Sequence, residues 1–249
     1  MIWWIVTFGT LGGVGATAAS ALLLAFPEHM RRSVVPWLLS YATGTLLGAA
    51  FLGMIPKAFA EAGTFAVSAT VLAGIVAFFA LEKLVIWRHC HDDECEVHGS
   101  AGPLILVGDA FHNFVDGVVI AAAFMTSIPL GVAAALAVIA HEVPQEVGDF
   151  AILLDSGYGR WKALFWNTLS ATATLPGAVL AYYWLADTME AIPYVLAVSA
   201  ASFIYIATAD LIPTLHRQAS PAAAFCQFGL LLAGIATIAL FRIGAFTDG

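Results

Sequence analysis

Two short stretches carry most of the chemistry in this chain. The first reads Gly108-Asp109-Ala110-Phe111-His112-Asn113-Phe114-Val115-Asp116-Gly117, and the second reads His141-Glu142-Val143-Pro144-Gln145-Glu146-Val147-Gly148-Asp149. Both lie inside long apolar runs, where an ionisable side chain is costly unless it gains a partner or a function. On a helix, residues three and four apart share a face. His112 and Asp116 are four apart, Asp109 extends that side one turn earlier, and Asn113 stands beside His112. In the second stretch His141 and Gln145 are four apart, Glu142 and Glu146 form a parallel pair, and Asp149 prolongs the strip. Two such helices facing each other would offer two imidazole nitrogens and several oxygens. That mixture suits Zn²⁺ and other late first-row divalent metals, whereas Ca²⁺ and Mg²⁺ prefer oxygen alone. His112, Asn113, Asp116, His141, Glu142 and Gln145 are therefore the candidate ligands.

A single buried His, Asn or Asp can simply hydrogen-bond and pack a bundle. Six of them clustered on neighbouring segments point instead to a path for metal. Pro144 removes one N–H, frees the carbonyl of Ala140 and is expected to kink its helix. Gly117 and Gly148 are expected to permit close helix approach.

The elements that must position these residues are membrane helices. The chain of 249 residues is 61% hydrophobic and 10% charged, with a mean hydropathy of +0.91. That composition excludes both an ordinary soluble domain and a disordered chain. About 20 apolar residues cross a bilayer, and eight stretches qualify: roughly 2–26, 34–56, 64–87, 102–127, 129–154, 163–186, 191–213 and 221–245. The expected fold is thus an all-α polytopic membrane protein, a single transmembrane domain over 1–249. With both termini outside, seven basic residues (Arg31, Arg32, Lys83, Arg88, Arg160, Lys162 and Arg217) face the cytoplasm and only Lys57 and Arg242 face outward. This split follows the positive-inside rule and supports N-out, C-out topology. The N-terminus lacks the basic flank of a secretory signal and reads as a retained span.

The longest loop, at about 88–101, is cytoplasmic in this reading and holds His89, Cys90, His91, Cys95 and His98 among acids. Such tracts can contact metal, although the spacing is not that of a zinc finger. Cys90, Cys95 and Cys226 make an odd count and give no disulfide framework. The net charge of −8 argues against nucleic acid as a partner. No phosphate-cradling Gly-rich loop with Lys is present, so ATP is not expected to drive this chain. Trp3, Trp4, Trp37, Trp87, Trp161 and Trp184 lie near span ends, as interfacial anchors do.

The paired stretches His112-Asn113-Phe114-Val115-Asp116-Gly117 and His141-Glu142-Val143-Pro144-Gln145-Glu146-Val147-Gly148-Asp149 resemble the signatures of the ZIP (Zrt/Irt-like) family of divalent metal transporters. Gly148-Asp149-Phe150-Ala151-Ile152-Leu153-Leu154 is most similar to the LIV-1 branch. The resemblance implies a ZIP-like helix bundle that moves metal into the cytoplasm, packs as a homodimer in the lipid and rocks or slides one bundle against another. It implies a two-metal centre, with His112, Asp116, His141 and Gln145 around one ion. Asn113, Asp116, Glu142 and Gln145 would surround the other, with Asp116 bridging. Zn²⁺ is the expected substrate, with Fe²⁺, Mn²⁺, Co²⁺ and Cd²⁺ as alternatives. The short loops fit a compact prokaryotic member in a bacterial inner (plasma) membrane.

The chain departs from the family where Gln145 replaces the usual His, because a neutral amide is a poorer ligand. Span two has Ala49, Gly53 and Lys57 at positions where the branch usually carries acids or His, and span six lacks a carboxylate. Asp109, Asp149 and Asp210 have two readings each, lining the path or supporting structure. Glu146 belongs to the motif but is offset from His141 and Gln145. The rival functions are an intramembrane metal-dependent hydrolase and a non-transporting metal-binding membrane protein. His141-Glu142 matches the start of a zincin motif, but Gln145 stands where its second His belongs.

Overall fold

The computed structural model describes residues 1–87, 101–216 and 221–247. The His/Cys/acid loop expected at about 88–101 lies almost wholly outside them. Among the described residues the secondary structure is helical throughout. We number the helices α1 (Ile2–Leu24), α2 (28–62), α3 (Thr64–Trp87), α4 (Ala101–Thr126), α5 (Ile128–Asp155), α6 (Arg160–Ala171), α7 (Thr174–Asp187), α8 (Met189–His216) and α9 (Pro221–Thr247).

Seven unbroken stretches are long and apolar enough to cross a membrane. The sixth expected span, 163–186, is instead met by two shorter helices, α6 and α7, broken at Thr172 and Ala173. Pro176 explains the break: its ring would clash with the carbonyl of Thr172, and it lacks the N–H to bond that carbonyl. The hydroxyl of Thr172 turns back to the carbonyl of Leu169 at 2.6 Å.

The turns follow local chemistry. Ser127 alone separates α4 from α5; its side chain accepts from the N–H of Leu130 at 3.3 Å, and Pro129 starts the next helix. The two motif-bearing helices are thus antiparallel neighbours. Gly63 and Gly157, at φ +80° and +85°, make the turns after α2 and α5, a conformation that disfavours any Cβ. The second span runs further than expected, through Lys57 to Ala62.

Two long helices widen into π turns just before a proline: Ala49–Met54 ahead of Pro56 in α2, and Ile206–Leu211 ahead of Pro213 in α8. A third π turn lies at Leu11–Gly15 in α1. The wider turn makes room for a ring that has no N–H to contribute.

The core is rich in alanine, with Ala121, Ala122, Ala123, Ala134, Ala135 and Ala137 fully or almost fully buried on α4 and α5. Small side chains let helix backbones approach closely. At Gly117 a Cβ would sit 2.0 Å from the carbonyl oxygen of Thr174, and at Gly177 one would sit 2.1 Å from that of Phe114. Helices α4 and α7 therefore meet backbone to backbone beside the candidate ligands. Gly148 does not play the expected role, because a Cβ there would meet nothing within 4 Å. It lies on the exposed side of α5, between the buried Glu146 and Asp149. Large apolar side chains cover the outside, including Trp3, Phe65, Trp161 and Phe225, each at least 80% exposed. That is the expected surface for contact with lipid.

Candidate metal centre

Four of the six expected ligands converge on one point between α4 and α5. The Nε2 atoms of His112 and His141 lie 3.1 Å apart. Glu142 Oε1 is 3.1 Å from the first and 3.6 Å from the second. Asp116 Oδ2 is 3.8 Å and 3.2 Å from the same two atoms. In a tetrahedron of ligands about 2.0–2.1 Å from zinc, the ligand atoms are separated by about 3.3–3.4 Å. These five separations scatter around that value. The set is therefore the right size for a small divalent ion with two nitrogen and two oxygen donors.

The tautomer of His141 supports this reading. Its Nδ1–H donates to the carbonyl of Ala137 at 2.8 Å, which leaves the Nε2 lone pair facing the other donors. The His141 ring also packs edge-on against Phe203 of α8, with centroids 6.0 Å apart. His141, Asp116 and Glu142 are buried, whereas the His112 side chain is 19% exposed. His112 is thus the donor nearest to an access route. Asp116 Oδ2 and Glu142 Oε1 face only the imidazole nitrogens, and the buried Asp116 Oδ1 and Glu142 Oε2 have no hydrogen-bond partner. Buried oxygens of that kind need a cation or a donor.

The other two expected ligands are placed differently. The Asn113 amide donates to the carboxylate of Asp109 at 3.0 Å and to its backbone carbonyl at 3.2 Å. Its carbonyl oxygen accepts from the Thr174 hydroxyl at 2.8 Å. Asn113 therefore ties α4 to α7 and orients Asp109. Gln145 is half-buried, one turn along α5 from His141. Glu142 joins the two histidines rather than standing only with Asn113.

A second group lies alongside. One carboxylate oxygen from each of Asp109, Glu142 and Glu146 falls within 4.8 Å of the others. Two full charges that close repel by about 3–4 kcal/mol at an effective dielectric near 20, a repulsion that a bound cation cancels. Glu146 is held from two sides, by the Thr17 hydroxyl of α1 at 3.0 Å and by the Asn167 amide of α6. Asp210 sits on the exposed π turn of α8 and belongs to neither group. Thr17 went unremarked in the sequence, where one threonine in an apolar span looks like any other. Asn167 and Thr174 gave a visible signal, as polar residues inside span six.

A family model described as "ZIP Zinc transporter" matches residues 87–242. Zinc transporter ZIP13 of Pongo abelii is 34% identical over 221 residues, covering 83% of this chain and 66% of the relative. Zinc transporter zipt-7.2 of Caenorhabditis elegans is 31% identical over 268 residues, covering 83% and 58%. Zinc transporter SLC39A7 of Mus musculus is 30% identical over 303 residues, covering 86% and 63%. The chain thus spans between 58% and 66% of the length of these relatives.

Proposed function

From its membership of the ZIP zinc transporter family, which makes it an integral membrane protein, we propose that this chain carries divalent metal, zinc first among them, across the membrane into the cytoplasm. The observation that carries the proposal is the convergence of His112, Asp116, His141 and Glu142 on one zinc-sized point inside the bundle. The two nitrogens and two carboxylates suit zinc, and Fe²⁺, Mn²⁺, Co²⁺ and Cd²⁺ are the competing substrates for the same donors.

Helix α4 supplies His112 and Asp116 on one face, and α5 supplies His141 and Glu142. His112, the partly exposed donor, receives the ion. Asp116 and Glu142 neutralise its charge where no water can. The Ala137 carbonyl keeps the His141 proton off the metal-facing nitrogen. Four protein donors leave no position for a metal-bound water, which counts against the hydrolase reading. The non-transporting reading is disfavoured by the second carboxylate group beside the first, which a static structural site does not need. We place the chain in a bacterial inner membrane with both termini outside, packed as a homodimer.

The test is zinc entry into sealed proteoliposomes holding a trapped metal-sensitive dye, with His112→Ala and Glu142→Ala as variants. Saturable entry that either substitution abolishes, in folded protein, is the expected result. No entry of zinc or of the other divalent ions, despite stoichiometric binding, would sink the transport reading.

A further inference from the structure

We propose that a groove on the outer surface of the bundle, between α3 and α8 on one wall and α4 and α7 on the other, holds one acyl chain of an amine-bearing phospholipid. The groove encloses about 670 Å³, within the range of about 300–1,000 Å³ typical of small-molecule sites. Its first wall is sealed at Gly74 of α3, where a Cβ would sit 2.6 Å from that of Ala201 on α8. Phe78 of α3 also stacks on Tyr205 of α8, with centroids 6.3 Å apart. The facing wall is Phe111, Val115 and Val118 of α4, with Trp184 of α7.

The lining selects hydrocarbon. Two hydroxyls lie along it, and neither is offered to a ligand. Thr70 donates to the carbonyl of Ala66 at 2.9 Å, and Ser199 is only 3% exposed. A polar ligand would therefore lose its hydrogen bonds here, whereas an alkyl chain loses nothing. Left empty, the groove would forfeit the dispersion contacts of its lining.

Its length selects a lipid tail. Along α3 it runs from Thr70 to Leu81, about 16 Å at 1.5 Å per residue. That is close to half of the about 30 Å hydrocarbon core, the depth of one leaflet. The chain has a definite direction as well. Trp184 and Tyr194, 54% and 44% exposed, line the groove near the junction of α7 and α8, and aromatic rings of this kind sit at headgroup level. One turn on from them stand the exposed Asp187 and Glu190. In the orientation proposed above, the only basic residues on that side are Lys57 and Arg242. A headgroup with an ammonium complements those carboxylates, and an anionic headgroup is repelled by them.

Phe111, Val115 and Val118 occupy one face of α4, while His112 and Asp116 stand on the next, about 100° around the helix. A bound chain thus braces the helix that carries two of the candidate ligands. That consequence rests on the transport reading, but the binding does not, so the test reads bound lipid and needs no flux.

Full-length protein is reconstituted with phosphatidylethanolamine bearing a photoreactive diazirine on one acyl chain. It is then moved into lipid-free detergent, washed and illuminated, and adducts are mapped by mass spectrometry. Adducts should persist at Ala77 and Phe111 in the groove. They should be lost from Leu72, Val76 and Phe79, which are exposed on α3 outside the groove. Ala77→Phe should cut groove labelling by at least about tenfold, because the ring takes the space of the chain. Zinc binding by that variant checks that the fold survives. The same probe on anionic phosphatidylglycerol should be retained less. The proposal is overturned if groove and outward residues label alike after washing, if the folded Ala77→Phe variant labels as before, or if the anionic probe is held as tightly. An unlabelled groove in a dimer that Ala77→Phe dissociates would overturn it too, by giving the groove to a second copy of the chain.

Discussion

At the scale of single residues, the centre depends on which atom each side chain has left to offer. His141 spends Nδ1 on the Ala137 carbonyl and so presents Nε2. Asn113 spends both ends of its amide, on Asp109 and on Thr174. Asp116 turns Oδ2 to His141 Nε2 at 3.2 Å and leaves Oδ1 without a partner. We therefore expect Asp116→Asn to weaken zinc binding by at least about tenfold, as losing a charged donor must do more than losing an outer contact. Isothermal titration of the purified protein checks this, and unchanged affinity would remove Asp116 from the ligand set. Thr174→Val should act differently. It leaves the Asn113 oxygen buried without its donor, at a cost of about 1–3 kcal/mol. Thermal unfolding in detergent should show the loss, and zinc stoichiometry should stay as it was.

At the scale of elements, the site is held by close packing of α4 on both α5 and α7. The approach of α4 to α7 relies on Gly117 and Gly177, where a Cβ would overlap backbone oxygen at 2.0 and 2.1 Å. Those oxygens belong to Thr174, whose hydroxyl donates to Asn113, and to Phe114, the chain neighbour of Asn113, so any separation here disturbs the Asp109 end of the site. Gly177→Ala is expected to destabilise the protein by more than the about 1–3 kcal/mol usual for overpacking, because backbone rather than a flexible side chain stands in the way. Gly148→Ala, with open space around it, should instead be neutral or slightly stabilising, since alanine is the better helix former. Melting curves of the two variants would settle the contrast, and equal melting temperatures would contradict the packing argument. The π turns before Pro56 and Pro213 show the same logic in the backbone: a missing N–H is absorbed by widening one turn rather than by ending the helix.

At the scale of the whole molecule, the issue is which side of the membrane each turn faces. In the orientation proposed from the basic residues, the turn after α5, next to Arg160 and Lys162, faces the cytoplasm and the turn after α2 faces outside. In a background freed of Cys90, Cys95 and Cys226, Thr64→Cys should react with a membrane-impermeant maleimide on intact cells. Gly159→Cys should react only after the membrane is opened. The reverse pattern would invert the proposed direction of transport. Composition, the apolar stretches and the two motifs were all legible from the residues alone, because burial in lipid demands long apolar runs and makes each intramembrane charge conspicuous. The broken sixth span was not read, although Pro176 was its cause, because the surrounding hydropathy is as high as that of an unbroken helix.

What the sequence determined by itself was the membrane-helical class, the family and the pair of helices bearing the candidate ligands. Local periodicity also placed His112 with Asp116, since that pairing needs only one helix. The grouping across helices was decided by tertiary structure alone. The family resemblance put Glu142 with Asn113 around the second ion, but the rotation of α5 against α4 brought Glu142 to the histidines. The approach of α7 brought Thr174 to Asn113. Likewise Thr17 and Asn167 reach Glu146 from 129 and 21 residues away. Contacts between helices depend on their relative rotation and depth, and no repeat within a single segment encodes either.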